Sequence, residues 1–256
     1  MENLGPHIED VWISLSHLND VDQSLRALVS KNRRHLVHLG LVVPNNNKTD
    51  WSIISDNMTR LKSLKVTFKS DKRGSLEEFA KFKDLEFLVF AEDSQNELQS
   101  VLTDQAILPV LKGCKKLQSI CLAGTKFTTL RLTNKTILNI NSFCPNLKQL
   151  KFFRAHLIDN ATLYDLARIR SLEVLHLSSM CYLLNTGIEY FAKNSPKCRN
   201  FLVHDCKSIT DEIINYWIEA VKKRPNDKIK LYLKLDEGMS KVWTDLPSNL
   251  ILKIDK

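Results

Sequence analysis

The chain has 256 residues, 43% of them apolar, with 37 lysines and arginines against 29 aspartates and glutamates, a formal net charge of +8. That is long enough for a sizeable core. No apolar run approaches the roughly 18 residues that a membrane-spanning helix needs, and the opening Met1-Glu2-Asn3-Leu4-Gly5-Pro6 lacks the basic and apolar regions of a secretory signal. We expect a soluble protein of the cytoplasm, the nucleus or both, with no membrane partner.

Taken in chain order, the predicted elements repeat. Ile8, Val11 and Ile13 begin a pattern of apolar residues that returns at Leu36-Leu39-Leu41, Leu61-Leu64-Val66, Leu85-Leu88-Phe90 and Leu117-Ile120-Leu122. It continues at Leu147-Leu150-Phe152, Leu172-Leu175-Leu177, Cys198-Phe201-Val203 and, with strict alternation, through Leu231 and Leu233. The middle positions from Leu39 to Phe201 lie 25, 24, 32, 30, 25 and 26 residues apart. Alternation at period two predicts a short strand at each phrase.

Between the strands the spacing turns helical. Val43 to Asp50, with three consecutive asparagines, reads as a loop. Asp104 to Leu111 predicts a helix that is short or bent, because Pro109 suits a first turn and not an interior. Further helices are expected over Asn134 to Phe143, Asn160 to Ala167 and Gly187 to Lys193. Ser208-Ile209-Thr210-Asp211 resembles a capping box, and the stripe Ile213, Ile214, Trp217, Ile218 and Val221 follows it, closed by Lys222-Lys223-Arg224 and Pro225. Leu250, Leu252 and Ile254 alternate as a last strand within 243–256.

A strand-plus-helix unit of this size cannot bury its own apolar face, so neighbouring units must stack. The spacing L-x-x-L-x-L is that of a leucine-rich repeat. The expected fold is an α/β leucine-rich-repeat solenoid, a ribonuclease-inhibitor-like horseshoe with parallel strands on the concave face and helices on the convex face. About eight to nine repeats would fill a single domain over 1–256 that starts inside the solenoid.

Charge and cysteines fit this frame. The basic runs at Lys31-Arg33-Arg34, Lys112-Lys115-Lys116 and Lys222-Lys223-Arg224 fall where helices end, complementing the negative end of the helix dipole. No groove-reading motif accompanies them, so an acidic protein partner is expected over nucleic acid. Cys114 and Cys144 each stand three residues before the first leucine of a phrase, and Cys206 stands three after one. The repeat positions them as small buried apolar groups, and no C-x-x-C pair offers a zinc site.

One stretch is more specific. Leu172-Glu173-Val174-Leu175-His176-Leu177 is followed by Gly187-Ile188, then by Ser195-Pro196-Lys197-Cys198 and Cys206-Lys207-Ser208-Ile209-Thr210-Asp211, while Cys144-Pro145-Asn146-Leu147 supplies a C-P-x-L element. This resembles the cysteine-containing repeat of the F-box/leucine-rich-repeat proteins. It departs from that repeat where Cys198 replaces the first leucine and where Asp211 is not followed by x-Gly. The resemblance implies a substrate-recognition arm of an F-box-type (SCF) ubiquitin ligase subunit, or a truncated form of one. Its adaptor would be engaged only through an F-box upstream of the repeats, and Met1 to Asn32 contains no L-P-x-E-L-L start. Trp243 to Ile254 is similar to the first residues of an F-box, but such a domain needs roughly forty residues, and the alternation here predicts a strand. The alternative is a freestanding leucine-rich-repeat scaffold or inhibitor without ligase association.

Partner-binding residues follow from the strand phase. Residues flanking the second leucine of each phrase, and the one after the third, point to the concave face. Among these, Trp12, Phe87, Lys151, Phe153, His176, His204, Lys230, Tyr232 and Lys234 are the candidate contacts: rings as interface anchors, lysines for acidic groups. Gly40, Ala91 and Ala123 are expected to leave room around the rings. No nucleophile elbow or phosphate-binding glycine loop occurs and the chain has only seven glycines, so no catalytic residue, metal or cofactor is expected. His176 and His204 read as surface residues on neighbouring strands.

Overall fold

The computed structural model describes residues 8–18, 20–32, 34–44, 49–69, 75–93, 100–125, 128–138, 140–235, 243 and 245–255. They fall into two compact units. The first runs to Arg131 and includes Ser142–Asn146; the second comprises Leu132–Asn141 and the chain from Leu147 onward.

In the first unit, strands β1 (Asp10–Ser14), β2 (His38–Val43), β3 (Ser63–Phe68), β4 (Phe87–Glu92) and β5 (Ser119–Ala123) pair in parallel and in chain order. Their register aligns the repeat: Val11, Leu39, Leu64, Leu88 and Ile120 form one inward file. All five are buried, as are Leu41, Val66, Phe90 and Leu122 two residues on. Burying one leucine fully is worth about 1.5–3 kcal/mol, so the files supply the force that stacks the repeats. The crossovers vary with the interval available. Helix α1 (Val21–Asn32) turns Val21, Leu25, Leu28 and Val29 inward, while α2 (Ser52–Ser55) is a single turn and Leu76–Lys81 winds as a 3₁₀ helix. Beneath them a ring cluster forms, with Trp51 and Phe79 centroids 4.8 Å apart, Phe79 and Phe90 at 5.3 Å, and Phe68 and Phe90 at 5.6 Å.

Helix α3 (Asp104–Gly113) continues through Pro109 instead of stopping there. The Thr103 side chain caps it by accepting from the Ala106 N–H, and Ile107, Val110 and Leu111 are buried, which outweighs the one backbone bond that proline removes. All six cysteines are free. Cys114 donates its thiol to the Phe79 carbonyl at 3.3 Å and Cys144 donates to the Leu111 carbonyl at 3.6 Å. Each thiol thus ties its repeat to a carbonyl near the end of the preceding repeat's helix. Burial pushes both thiols up to about 12, leaving them protonated and inert.

In the second unit, β6 (Gln149–Phe153), β7 (Val174–Ser178), β8 (Asn200–His204), β9 (Ile229–Lys234) and β10 (Leu250–Ile254) are likewise parallel and sequentially paired. Leu150, Leu175, Phe201 and Leu231 form the inward file. The region 134–143 forms two short helices, α4 (Asn134–Ile137) and α5 (Ile140–Phe143), and not the single one its spacing suggests. Helices α6 (Asn160–Leu166), α7 (Asn185–Asn194) and α8 (Ile213–Lys222) complete the crossovers. Helix α8 starts after Glu212, which makes no side-chain cap, and Thr210 just before it is engaged by Asn185 of the preceding repeat.

That engagement belongs to an asparagine ladder. Asn134 donates to Asp159 at 2.8 Å and accepts from the Asp159 N–H and the Thr162 hydroxyl. One repeat on, the Asn160 carbonyl accepts from the Leu184 N–H at 2.9 Å while its amide donates to Thr186. Next, Asn185 accepts from the Thr210 N–H and donates to the Thr210 hydroxyl at 2.7 Å. Each amide side chain at a helix start therefore fastens the helix start of the following repeat. Turns repeat as well: Arg154, Ser179 and Asp205, the residues that follow β6, β7 and β8, all adopt left-handed backbone with φ of 61°, 55° and 51°. Their N–H groups extend the ladder by one bond each, to Ser178, His204 and Lys234. This offsets the cost of about 1–2 kcal/mol for a non-glycine residue in that region. Among the described residues no helix is long and apolar enough to cross a membrane.

Candidate functional site

Within each unit the helices cover one face of the sheet, and the candidate contacts stand on the other. In the first unit Trp12 is 61% exposed and Phe87 42% exposed. Trp12 lies flat across Gly40: a Cβ added there would meet the indole Cε3 at 2.3 Å. Gly40 therefore leaves no free room; its missing side chain is the seat of Trp12, which corrects the expectation from sequence. The Lys65 ammonium sits 4.3 Å from the indole centroid, within cation–π range. Beside it, His38 and Asp10 approach to 3.9 Å. Trp12, Gly40, His38, Lys65 and Val89 line a shallow pocket of about 460 Å³.

In the second unit the register brings the remaining candidates together. Lys151 pairs with His176, His176 with Leu202, Leu202 with Tyr232, and Tyr232 with Lys253, so these five form one row across the strands. Phe153, Ser178, His204 and Lys234 form the adjacent row. Rings interlock between the rows: the Phe153 and His176 centroids are 4.5 Å apart at 69°, and those of His176 and His204 are 4.9 Å apart at 72°. Both contacts are edge-to-face, the arrangement that aromatic quadrupoles favour. Lys234 pairs with Asp205 at 3.6 Å, and Lys230 is exposed. Lys253, not foreseen as a contact, places its ammonium 5.3 Å from the Tyr232 ring. It was legible in principle, since it alternates with Ile251 on the terminal strand.

His176 is the electrostatic centre of this face. Burial lowers its imidazole to about 4, and the nearby His204 and Lys151 push in the same direction. Its Nε2 has no hydrogen-bond partner among the described residues. The folded chain therefore keeps His176 neutral where an unfolded chain protonates it near its ordinary 6.5. Stability from this group is complete above that value, declines as pH falls from there, and levels off below about 4. We expect urea denaturation to show a smaller drop between about pH 7.5 and pH 5 for His176→Gln than for the parent, the difference being about 1 kcal/mol because solvent screens this half-buried ring. Equal drops would mean that His176 protonates freely in the folded state.

No protein-family model matches the chain, and no curated protein matches it in sequence. Among solved structures, it is similar to a chain in the crystal structure of the Rad7 and Elc1 complex in yeast, with 16% identity and a TM-score of 0.56 over 96% of this chain and 74% of that one. At that identity the likeness bears on the fold. With its phased leucine files, its strands parallel and alternating with helices, and this structural likeness, the chain is an α/β leucine-rich-repeat solenoid.

Proposed function

We propose that the chain is a protein-interaction module, the substrate-recognition arm of an F-box-type ubiquitin ligase subunit, acting by holding a partner and performing no chemistry itself. The observation that carries this reading is the set of rings on two adjacent rows of the second unit. Phe153, His176, His204 and Tyr232 are only half-buried, on a face that the unit's helices do not cover. Half-exposed rings held rigidly by their neighbours lose little entropy on binding, the property of interface anchors. The ligase assignment draws on the C-P-x-L and I-T-D elements around Cys144 and Cys206. It is supported further by fold similarity to a chain crystallised in a complex of Rad7 with Elc1.

The test is affinity purification of the full-length endogenous protein, compared with a Phe153→Ala/Tyr232→Ala double variant. The double variant should lose its substrate-type partners by about tenfold or more, the consequence of truncating two anchors, while a cullin adaptor stays bound to both forms. Loss of partners without any adaptor in either form would favour the freestanding scaffold. Identical partner sets for the two forms would remove this face from consideration.

A further inference from the structure

Resting on the protein-interaction reading above, we infer that the open face of the second unit binds an extended acidic segment of a protein, carboxylates at its two ends and apolar side chains between them. Strands β6 to β10 contain four lysines, two histidines and no aspartate or glutamate. Strands β1 to β5 instead place one lysine and one histidine beside Asp10, their one further carboxylate, Glu92, being buried. The second unit's strands therefore carry the more positive open face of the two.

The arrangement is more specific than net charge. Across the strands, the central row reads Lys151, His176, Leu202, Tyr232, Lys253. A cation stands at each end and an apolar or aromatic surface lies between. Among the described residues Lys151 makes no ion pair and Lys253 meets the Tyr232 ring, whereas Lys234 is already paired with Asp205. Four strand-to-strand steps separate the two end lysines by roughly 19 Å, a span that an extended polypeptide covers in about six residues. The segment that fits carries acidic residues about six positions apart with leucine-like or aromatic residues between them. Nucleic acid fits less well, because a phosphate backbone presents charge along its whole run and the middle of this row offers histidine, leucine and tyrosine.

A displayed library of random twelve-residue peptides, panned on the purified full chain, tests this directly. Enrichment of peptides with paired Asp or Glu bracketing apolar residues is the expected result. A Lys151→Glu/Lys253→Glu variant should bind the winning peptide about tenfold more weakly or worse, and the parent should lose affinity as salt rises. Lys135→Glu, exposed on helix α4, should leave the affinity unchanged. Should the charge reversal lower the melting temperature, Lys151→Gln/Lys253→Gln removes the charge alone and gives the same reading. The inference is overturned by no enrichment, by peptides without acidic bias, by equal binding to the charge-reversed variant, or by oligothymidylate displacing the peptide at lower concentration than free acidic peptide does. If partner capture still depends on Phe153 and Tyr232 while the library shows no acidic preference, the interaction reading stands and only this inference fails.

Discussion

Trp217→Ala should cost about 3–5 kcal/mol of unfolding free energy, while Trp217→Phe should cost only about 1 kcal/mol. Trp217 is fully buried on α8, flanked by the buried Ile213, Ile214 and Val221. Its ring lies 5.0 Å from Phe201, which stands on the inward file of β8, and 6.4 Å from Phe191 of α7; those two are 5.6 Å apart. One side chain thus joins two helices to a strand. Truncation to alanine empties the centre of that cluster, and the helices around it relax only in part. Phenylalanine keeps most of the volume and both ring contacts. What it removes is the indole N–H, and that group is buried without an acceptor among the described residues, so no hydrogen bond is lost. Urea denaturation followed by circular dichroism measures both variants. Equal losses would show that the indole N–H has a partner of its own and that the cavity is not what makes the alanine variant unstable.

Why Trp217 was legible as core while its cluster was not says much about this chain. Its place in an i, i+4, i+8 stripe is local information, present in Ile213, Trp217 and Val221. Its contact with Phe201 is a statement about register between elements, which no window of sequence contains. The same division runs through the fold. The alternation at Leu147-Leu150-Phe152 was enough to place β6 and its inward file, and the position of Cys114 before Leu117 was enough to bury it. The meeting of Trp51, Phe68, Phe79 and Phe90 draws on three successive repeats and emerged only with the packing. Helix lengths were poorly legible because the strands, not the crossovers, carry the periodic constraint, so Leu76–Lys81 is free to wind as 3₁₀.

The candidate face divides similarly. Strand phase alone placed Trp12 outward, and it is 61% exposed. Phase does not say that the indole would lie over Gly40, since that depends on a rotamer and on a neighbouring strand. The diagonal contact of His176 with both Phe153 and His204 likewise needs the register. Lys253 lies on a terminal strand whose sequence signal is carried by its apolar residues, and register alone sets it beside Tyr232.

Asn134 and Asn160 read in sequence as ordinary helix openings, and the ladder they build gives the second large effect. Gly187→Ala should destabilise the parent by about 1–3 kcal/mol, yet be close to neutral in an Asn160→Ala background. A Cβ at residue 187 would stand 2.3 Å from the Asn160 Oδ1 and 2.6 Å from its Cγ, closer than any real contact. The amide is not free to swing aside, because that same oxygen accepts from the Leu184 N–H at 2.9 Å. Gly187 is therefore required by its neighbour and not by its own helix, where alanine is preferred by about 1 kcal/mol. Asn160→Ala alone leaves the Leu184 N–H without its acceptor and frees Thr186, costing about 1–2 kcal/mol at this partly exposed position. Once the amide is gone the nearest atom is the Cβ of residue 160, 3.1 Å from the new methyl group, a tight contact that a shift of a few tenths of an ångström relieves and that the propensity gain of alanine offsets. The double variant should then be close in stability to Asn160→Ala, with a coupling of about 1–3 kcal/mol between the two sites. Additive losses, read from urea midpoints of all four proteins at constant slope, would mean that the ladder adjusts around the new methyl group and does not set the spacing between repeats.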